Sequence, residues 1–217
     1  MKIPKKETHP FVGDNLTRFY HIPVISYFFL HRLQMALDLM GKKTFESILE
    51  IGFGSGVLLP ELSLRTKRLY GVDLHDSIDI VEEMLNNENI AASVTKGDVL
   101  HLPYQDESFE CVVSIATLEH IKEIDTALCE IKRVLKKGGI AVLGFPVANK
   151  FSDVLLVLTG SLRAYRKRLR EIHPNSHGAI LVKAQRQFGN LEVQKFPFFL
   201  PMDWALYCCC LGVKDVD

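Results

Sequence analysis

The chain alternates short apolar runs with longer segments in which apolar residues recur at helical spacing. The helical spacing predicts helices at residues 24–40, 57–65, 77–87 and 121–136. The apolar runs predict β-strands at residues 47–52, 68–73, 92–96, 109–115, 140–146, 191–198 and 205–213. Strands that alternate with helices are typical of a parallel sheet covered on both faces. The pattern therefore predicts an α/β fold.

Three parts of this pattern allow more detailed predictions. Only a few residues around Pro201-Met202-Asp203 join the last two predicted strands, which is too short for a crossover and predicts an antiparallel pair. The helix at 121–136 is expected to end at Gly138-Gly139. Residues 1–44 are predicted to form an N-terminal helical cap, and residues 45–217 the main domain.

Composition narrows the class of protein. The 217 residues are 47% hydrophobic and 24% charged, which is ordinary for one globular domain. The 26 basic residues equal the 26 acidic residues, so no nucleic-acid partner is expected. The apolar stretch at 22–30 is too short for a transmembrane segment, and no signal peptide is recognised.

The five cysteines show no C-x-x-C pair. They are therefore expected to be reduced thiols in a cytoplasmic protein. Cys111 and Cys129 lie on apolar faces and are predicted to be core residues. Cys208, Cys209 and Cys210 lie in the last predicted strand, where both alternating sets of positions are apolar, and a strand buried on both faces explains them better than a metal site.

The first predicted strand ends in a carboxylate and a glycine-rich turn. Glu50 is followed by Gly52, Gly54 and Gly56, and an apolar helical segment comes next. Glycine permits a positive φ and a close approach between backbone and ligand. Strand, glycine turn and helix together indicate the first unit of a nucleotide-binding α/β domain.

Carboxylates also end the second and third predicted strands. Asp73 lies seventeen residues beyond Gly56, where a carboxylate can accept hydrogen bonds from both hydroxyls of a ribose. Asp98 ends the third strand, and its carboxylate with a neighbouring backbone amide is suited to the edge of an adenine ring. The order of these features predicts a site for an adenosine-containing ligand.

Taken with Ala116-Thr117-Leu118-Glu119-His120 and with Arg133 to Gly139, residues 45–147 resemble the class I S-adenosylmethionine-dependent methyltransferases of the small-molecule "type 11" kind. The resemblance implies a Rossmann-like three-layer sandwich whose seven-stranded sheet is mostly parallel, with the last strand antiparallel. It also implies S-adenosylmethionine as cofactor and S-adenosylhomocysteine as product. The expected reaction moves a methyl group to O, N or C of a small-molecule acceptor.

The resemblance assigns roles around the cofactor. Glu50 is expected to engage the cofactor's amino group through the turn, and the three glycines to expose backbone to it. Asp73 is expected to bind the ribose, with Leu74 beside the adenine. The cofactor-binding residues implied in this way are Glu50, Gly52, Gly54, Gly56, Asp73, Leu74, Asp98, Val99 and Ala116.

The sequence defines the part of the site that binds the methyl acceptor less fully than the part that binds the cofactor. His120 lies just beyond the fourth strand and is a candidate general base or substrate contact. A substrate lid is predicted at about 148–175, whose basic cluster either meets an anionic or amphipathic acceptor or is a solvated helix face. The substrate-side candidates are Glu119, Arg166, Arg170 and His177. No metal is expected, because Ala116 stands where related metal-dependent enzymes carry a glutamate.

Two functions other than methyl transfer are also compatible with a glycine-rich turn after the first strand. A nicotinamide-binding fingerprint needs a glycine where this chain has Val57, and no Tyr-x-x-x-Lys pair is present, so a dehydrogenase is disfavoured. A methyltransferase-like partner or regulatory subunit without turnover stays open, because a cofactor motif does not prove catalysis.

Overall fold

A computed structural model describes residue 4, residues 23–147 and residues 174–216. Its seven-stranded sheet has the order β3-β2-β1-β4-β5-β7-β6. The strands are β1 (Phe45–Ile51), β2 (Thr66–Asp73), β3 (Ser93–Lys96), β4 (Phe109–Ile115), β5 (Leu135–Pro146), β6 (Leu191–Phe196) and β7 (Tyr207–Val213). β7 runs antiparallel to both of its neighbours, and the other paired strands are parallel. The predicted fold class is confirmed.

Helices cover both faces of the sheet. The helices are α1 (Pro23–Met40), α2 (Leu59–Ser63), α3 (Ile78–Asn87), α4 (Ile124–Val134) and α5 (His177–Phe188). Apolar residues of α1, α2 and α3 share one hydrophobic core with the sheet, and those of α4 and α5 share a second core on the opposite face. Short 3₁₀ turns lie at Val99–His101, Leu118–His120 and Met202–Trp204.

The central strands are apolar on both faces because both faces are covered. In β7, Cys209 belongs to the core beneath α1, whereas Cys208 and Cys210 belong to the core beneath α4 and α5. All three are fully buried, as expected for a doubly covered strand. Side chains that alternate in direction along a strand require this pattern when neither face meets water.

Two local predictions were wrong. Helix α2 is shorter than predicted, because Val57 and Leu58 belong to the turn before it. Helix α4 ends at Val134, and Gly138-Gly139 lie within β5, where the register with β4 shifts between Phe109 and Cys111. Gly138 has a φ of 71° in this bulge, so the glycine pair lies in an irregular part of the strand and does not end the helix.

The prediction that Cys129 is a core residue was also wrong. Cys129 is exposed, because other residues of α4 face the core.

Helix α1 packs against β7, β5 and β4, and its buried residues belong to the core on that face. The predicted cap therefore falls partly within the described residues, at Pro23–Met40. The residues before Pro23, apart from residue 4, and the predicted lid, apart from residues 174 and 175, lie outside the described residues. Within the described part of the chain, no helix has the length and apolar character needed to cross a membrane.

Candidate functional site

The three glycines of the turn after β1 all have positive φ, but for different structural reasons. Gly52, Gly54 and Gly56 have φ values of 73°, 53° and 74°. A Cβ at Gly52 would lie 2.1 Å from the hydroxyl of Thr117, and one at Gly56 would lie 2.9 Å from Met84 Cε. A Cβ at Gly54 would meet nothing within 4 Å. Packing therefore explains Gly52 and Gly56, while Gly54 is the one of the three whose Cα faces open space among the described residues.

Glu50 lies below this turn, in the centre of the sheet. It pairs with Gly71 of β2 and Val113 of β4, and it is only 4% exposed. Its Oε2 atom is buried and has no hydrogen-bond partner among the described residues. Burial raises the pKa of Glu50 to about 8, and the nearby carboxylate of Asp73 adds to the rise. A buried carboxyl oxygen without a donor is unfavourable, so a ligand that supplies a donor or a positive charge would relieve it.

Asp73 connects the end of β2 to the glycine turn. Its Oδ2 accepts a hydrogen bond of 2.7 Å from the amide of Gly54, and its Oδ1 accepts one of 3.3 Å from the amide of His75. Its carbonyl accepts a hydrogen bond of 2.9 Å from Gly97, which brings the end of β3 alongside. Leu74 follows with 64% exposure and lies at the rim.

Asp98 and Val99 form the turn after β3. Asp98 Oδ1 accepts a hydrogen bond of 2.9 Å from the amide of Leu100 and caps the 3₁₀ turn. The side chain of Val99 is buried in the core beneath α4 and α5, so its backbone is the part suited to contact a ligand. As the first residue of the turn, Val99 has no backbone acceptor within the turn for its amide.

Ala116, at the end of β4, has a strained backbone. Its φ of 56° lies in the left-handed region, which costs a residue with a Cβ roughly 1 kcal/mol. Its amide donates a hydrogen bond of 2.7 Å to the carbonyl of Gly144. The hydroxyl of Thr117 lies 3.3 Å from the carbonyls of Ile51 and Ile115, which joins the ends of β1 and β4. Strain of this kind is often retained where a ligand binds.

Beyond β4, Glu119 and His120 lie in the 3₁₀ turn. Glu119 is 3% exposed, and no group in the described part of the chain forms a hydrogen bond with its Oε2. Burial raises the pKa of Glu119 to about 7, and the positive charge of Arg32 opposes the rise. His120 Nε2 is 4.0 Å from Glu119 Oε1, and the His120 side chain is 41% exposed. This turn therefore brings a buried carboxyl next to an accessible imidazole.

His177 begins α5, which packs against the same 3₁₀ turn. The Asn175 side-chain amide donates to the carbonyl of Ile121, so the start of α5 is tied to the segment after β4. Arg166 and Arg170 lie outside the described residues. Among the described residues, no group of three or more His, Cys, Asp and Glu side chains could hold a metal ion.

Two residues that contact the glycine turn are not predicted from the sequence. Thr117 fills the space that Gly52 leaves, and His75 contacts Gly54 through its Nε2 atom at 3.0 Å. In the sequence, the only indication that His75 contacts the glycine turn is its position as a polar ring two residues after Asp73. A contact between a hydroxyl and a glycine sixty-five positions away leaves no comparable pattern in one sequence.

The geometry fits a ligand with a cationic group and neighbouring hydroxyls. Glu50 supplies a buried carboxyl whose Oε2 has no donor among the described residues, beneath the glycine turn, and Asp73 supplies a second carboxylate at the adjacent strand end.

Comparison with known proteins agrees with this geometry. Residues 49–143 match the family model of a methyltransferase domain. Residues 49–143, a little under half of the chain, are therefore similar to the class I S-adenosylmethionine-dependent methyltransferases of the type 11 kind. The resemblance of the sequence to this family is thereby confirmed.

Curated relatives match this methyltransferase domain at moderate identity. A ubiquinone/menaquinone biosynthesis C-methyltransferase UbiE of Saccharophagus degradans is 28% identical, over 51% of this chain and 47% of its own length. A malonyl-[acyl-carrier protein] O-methyltransferase of Chlorobium luteolum is 29% identical, over 56% of this chain and 48% of its own length. The chain thus spans about half the length of these relatives.

A solved structure has the same fold. A phosphoethanolamine N-methyltransferase 2 of Haemonchus contortus, in complex with S-adenosyl-L-methionine, superposes with a TM-score of 0.64. The match covers 85% of this chain and 52% of that one at 17% identity.

The raised pKa of Glu50 predicts how stability depends on pH. The folded state favours the protonated carboxyl of Glu50. The contribution of this side chain to the free energy of unfolding is therefore fully present below pH 4.5 and is lost as pH rises toward 8. Glu50→Gln removes this loss. We expect the ligand-free variant to equal wild type in free energy of unfolding near pH 4.5 and to exceed it by at most about 4 kcal/mol at pH 8.

Urea unfolding at pH 5, 6.5 and 8 measures this difference. Glu83→Gln, at an exposed position on α3, is the control and should show a difference that does not vary with pH. A constant difference for Glu50→Gln across the range would contradict the assigned burial of the charge.

Proposed function

We propose that this protein transfers a methyl group from S-adenosylmethionine to a small-molecule acceptor. The observation that carries the proposal is the buried carboxyl of Glu50, which has no donor for its Oε2 among the described residues and lies beneath the glycine turn and next to Asp73. Few ligands need all three features. S-adenosylmethionine has an ammonium group, a sulfonium and a ribose, so its charges and hydroxyls complement this arrangement.

Each cofactor group has a candidate partner. We assign the ammonium group to Glu50, whose carboxylate form is stabilised by a nearby positive charge. We assign the ribose to Asp73, because a carboxylate has about four lone-pair positions and two of them are used by Gly54 and His75. We assign the adenine to Asp98, the Val99 amide and Leu74, and the methionyl end to the backbone of Ala116.

The protein's contribution to the reaction is mainly positioning. When bound, the sulfonium of the cofactor supplies a methyl group with a good leaving group already attached. The chain must therefore orient an acceptor atom in line with the S–CH₃ bond and exclude water from it. The rigid ends of β1 and β4, joined through Thr117, suit the ordering of groups on the cofactor side.

Glu119, His120 and His177 are the proposed acceptor side among the described residues. Glu119 is a buried carboxyl whose Oε2 lacks a donor, and a hydroxyl or amine of the acceptor would supply one. His120 is accessible and is suited to remove a proton from such a group. We retain Arg166 and Arg170 as proposed contacts to an anionic or amphipathic acceptor.

The methylated atom stays open among O, N and C. The two relatives named above are a C-methyltransferase and an O-methyltransferase, and each matches over only about half its length. The cytoplasmic location and the absence of a nucleic-acid partner stay predictions. The alternative function is a cofactor-binding subunit that regulates another protein without its own turnover.

Calorimetric titration tests the cofactor assignment. Wild type should bind S-adenosylmethionine with micromolar affinity and should not bind NAD. Asp73→Ala should weaken binding by at least about tenfold, because a charged hydrogen bond to the ribose contributes about 1.5–3 kcal/mol. Asp79→Ala, at an exposed position in the first turn of α3, should bind like wild type. Binding of NAD, or of neither ligand, would overturn the proposal.

Turnover separates the enzyme from the regulatory subunit. Methyl transfer from labelled cofactor is measured with a panel of hydroxyl, amine and carbon acceptors. With an acceptor that must lose a proton, His120→Asn should lower kcat by about 100-fold or more while the affinity for S-adenosylhomocysteine is unchanged. Equal kcat values for His120→Asn and wild type would exclude the base role. Cofactor binding without transfer to any acceptor would favour the regulatory subunit.

A further inference from the structure

Both backbone groups of Gly54 are held by residues that follow β2. Its amide donates to Asp73 Oδ2 at 2.7 Å, and its carbonyl lies 3.0 Å from His75 Nε2. Gly54 is also the glycine of the turn at which an added Cβ would meet nothing within 4 Å among the described residues. The part of the turn that is available to a ligand is therefore clamped from one side.

The hydrogen bonds around His75 define its tautomer. The amide of Ser77 donates to His75 Nδ1 at 3.1 Å, so Nδ1 is the acceptor. Nε2 must then carry the proton and donate it to the carbonyl of Gly54. The ring thus connects the start of α3 to the apex of the glycine turn.

The remaining surroundings keep the ring in place. Its edge meets the ring of Phe53, with centroids 5.4 Å apart and planes at 82°. Phe53 is itself buried and fills the space beside Gly71. The charged groups near the imidazole are Asp73, whose Oδ2 is 3.8 Å from Nε2, and Asp76, which pairs with Lys96.

We propose that His75 is a positioning residue for the cofactor turn, holding the Gly54 carbonyl so that the turn is shaped before the cofactor arrives. The inference rests on the proposed function, since it concerns the same cofactor. Three residues with positive φ make the turn costly to order, because glycine loses more backbone freedom than other residues. A turn ordered in advance lowers the entropy cost of binding.

Three substitutions of His75 distinguish its hydrogen bond to Gly54 from its hydrogen bond to Ser77. Glutamine at position 75 can place an amide nitrogen where Nε2 donates to Gly54. Asparagine is shorter and can accept from the Ser77 amide but cannot reach the Gly54 carbonyl. Alanine can do neither. His75→Gln should therefore bind S-adenosylhomocysteine nearly as wild type, whereas His75→Asn and His75→Ala should bind about three- to tenfold more weakly.

Calorimetry with S-adenosylhomocysteine gives the affinities, and thermal unfolding identifies general loss of structure. Asp76→Asn is the control. It removes an exposed ion pair with Lys96 from the segment between β2 and α3 that also carries His75, and it should leave the affinity unchanged. His75→Asn should keep a melting temperature near that of wild type, because it retains the bond to Ser77. Equal affinities for wild type and His75→Asn would overturn the proposal.

Hydrogen exchange in the ligand-free protein tests the same role without a cofactor. Exchange in peptides covering residues 50–58 should be faster in His75→Asn and His75→Ala than in wild type and His75→Gln. Uniform exchange in all four proteins would also overturn the proposal. If wild type does not bind S-adenosylhomocysteine but the exchange pattern appears, the proposed function fails while the role of His75 in shaping the turn stands.

Discussion

The site depends on a buried carboxyl group whose Oε2 atom receives no hydrogen bond from residues 23–147 and 174–216. Glu50 lies in the centre of a sheet covered on both faces, so water cannot compensate its Oε2 atom. An apolar side chain would fill this position at lower cost. The fold instead keeps a group whose charged form becomes favourable only when a positive charge comes close. The ligand-free protein is therefore less stable than it would be with an apolar side chain at this position, and its affinity for a cationic ligand is higher.

The turn above Glu50 is shaped by its neighbours in the sheet. Thr117 joins the ends of β1 and β4 and leaves room only for glycine at position 52. Asp73 and His75 hold Gly54 from the end of β2. These contacts come from three different strand ends, which meet at one edge because the strands are parallel. The sheet order, with β1 between β2 and β4, is what brings them together.

Much of this could be predicted from the sequence, because the strands are apolar on both faces and the turn is rich in glycine. The seven strands, the reversed strand β7 and the proximity of Glu50, Gly54 and Asp73 follow from that pattern. Contacts that depend on long-range register could not be predicted. Gly138-Gly139 resembles a helix stop but lies in a β-bulge, since pairing with β4 extends β5 back to Leu135. The contacts of Thr117 with Gly52 and of His75 with Gly54 likewise appear only once the strand ends are side by side.

The most direct test of the account is the number of protons released when S-adenosylmethionine binds. Titrations at pH 7 in buffers of different ionisation enthalpy give this number. With a pKa of about 8, Glu50 is mostly protonated before binding and is expected to ionise beside the ligand's ammonium group. Wild type should then release about 0.9 proton more than Glu50→Gln. Equal proton release by the two proteins would contradict the claim that the buried carboxyl of Glu50 receives the cofactor's charge.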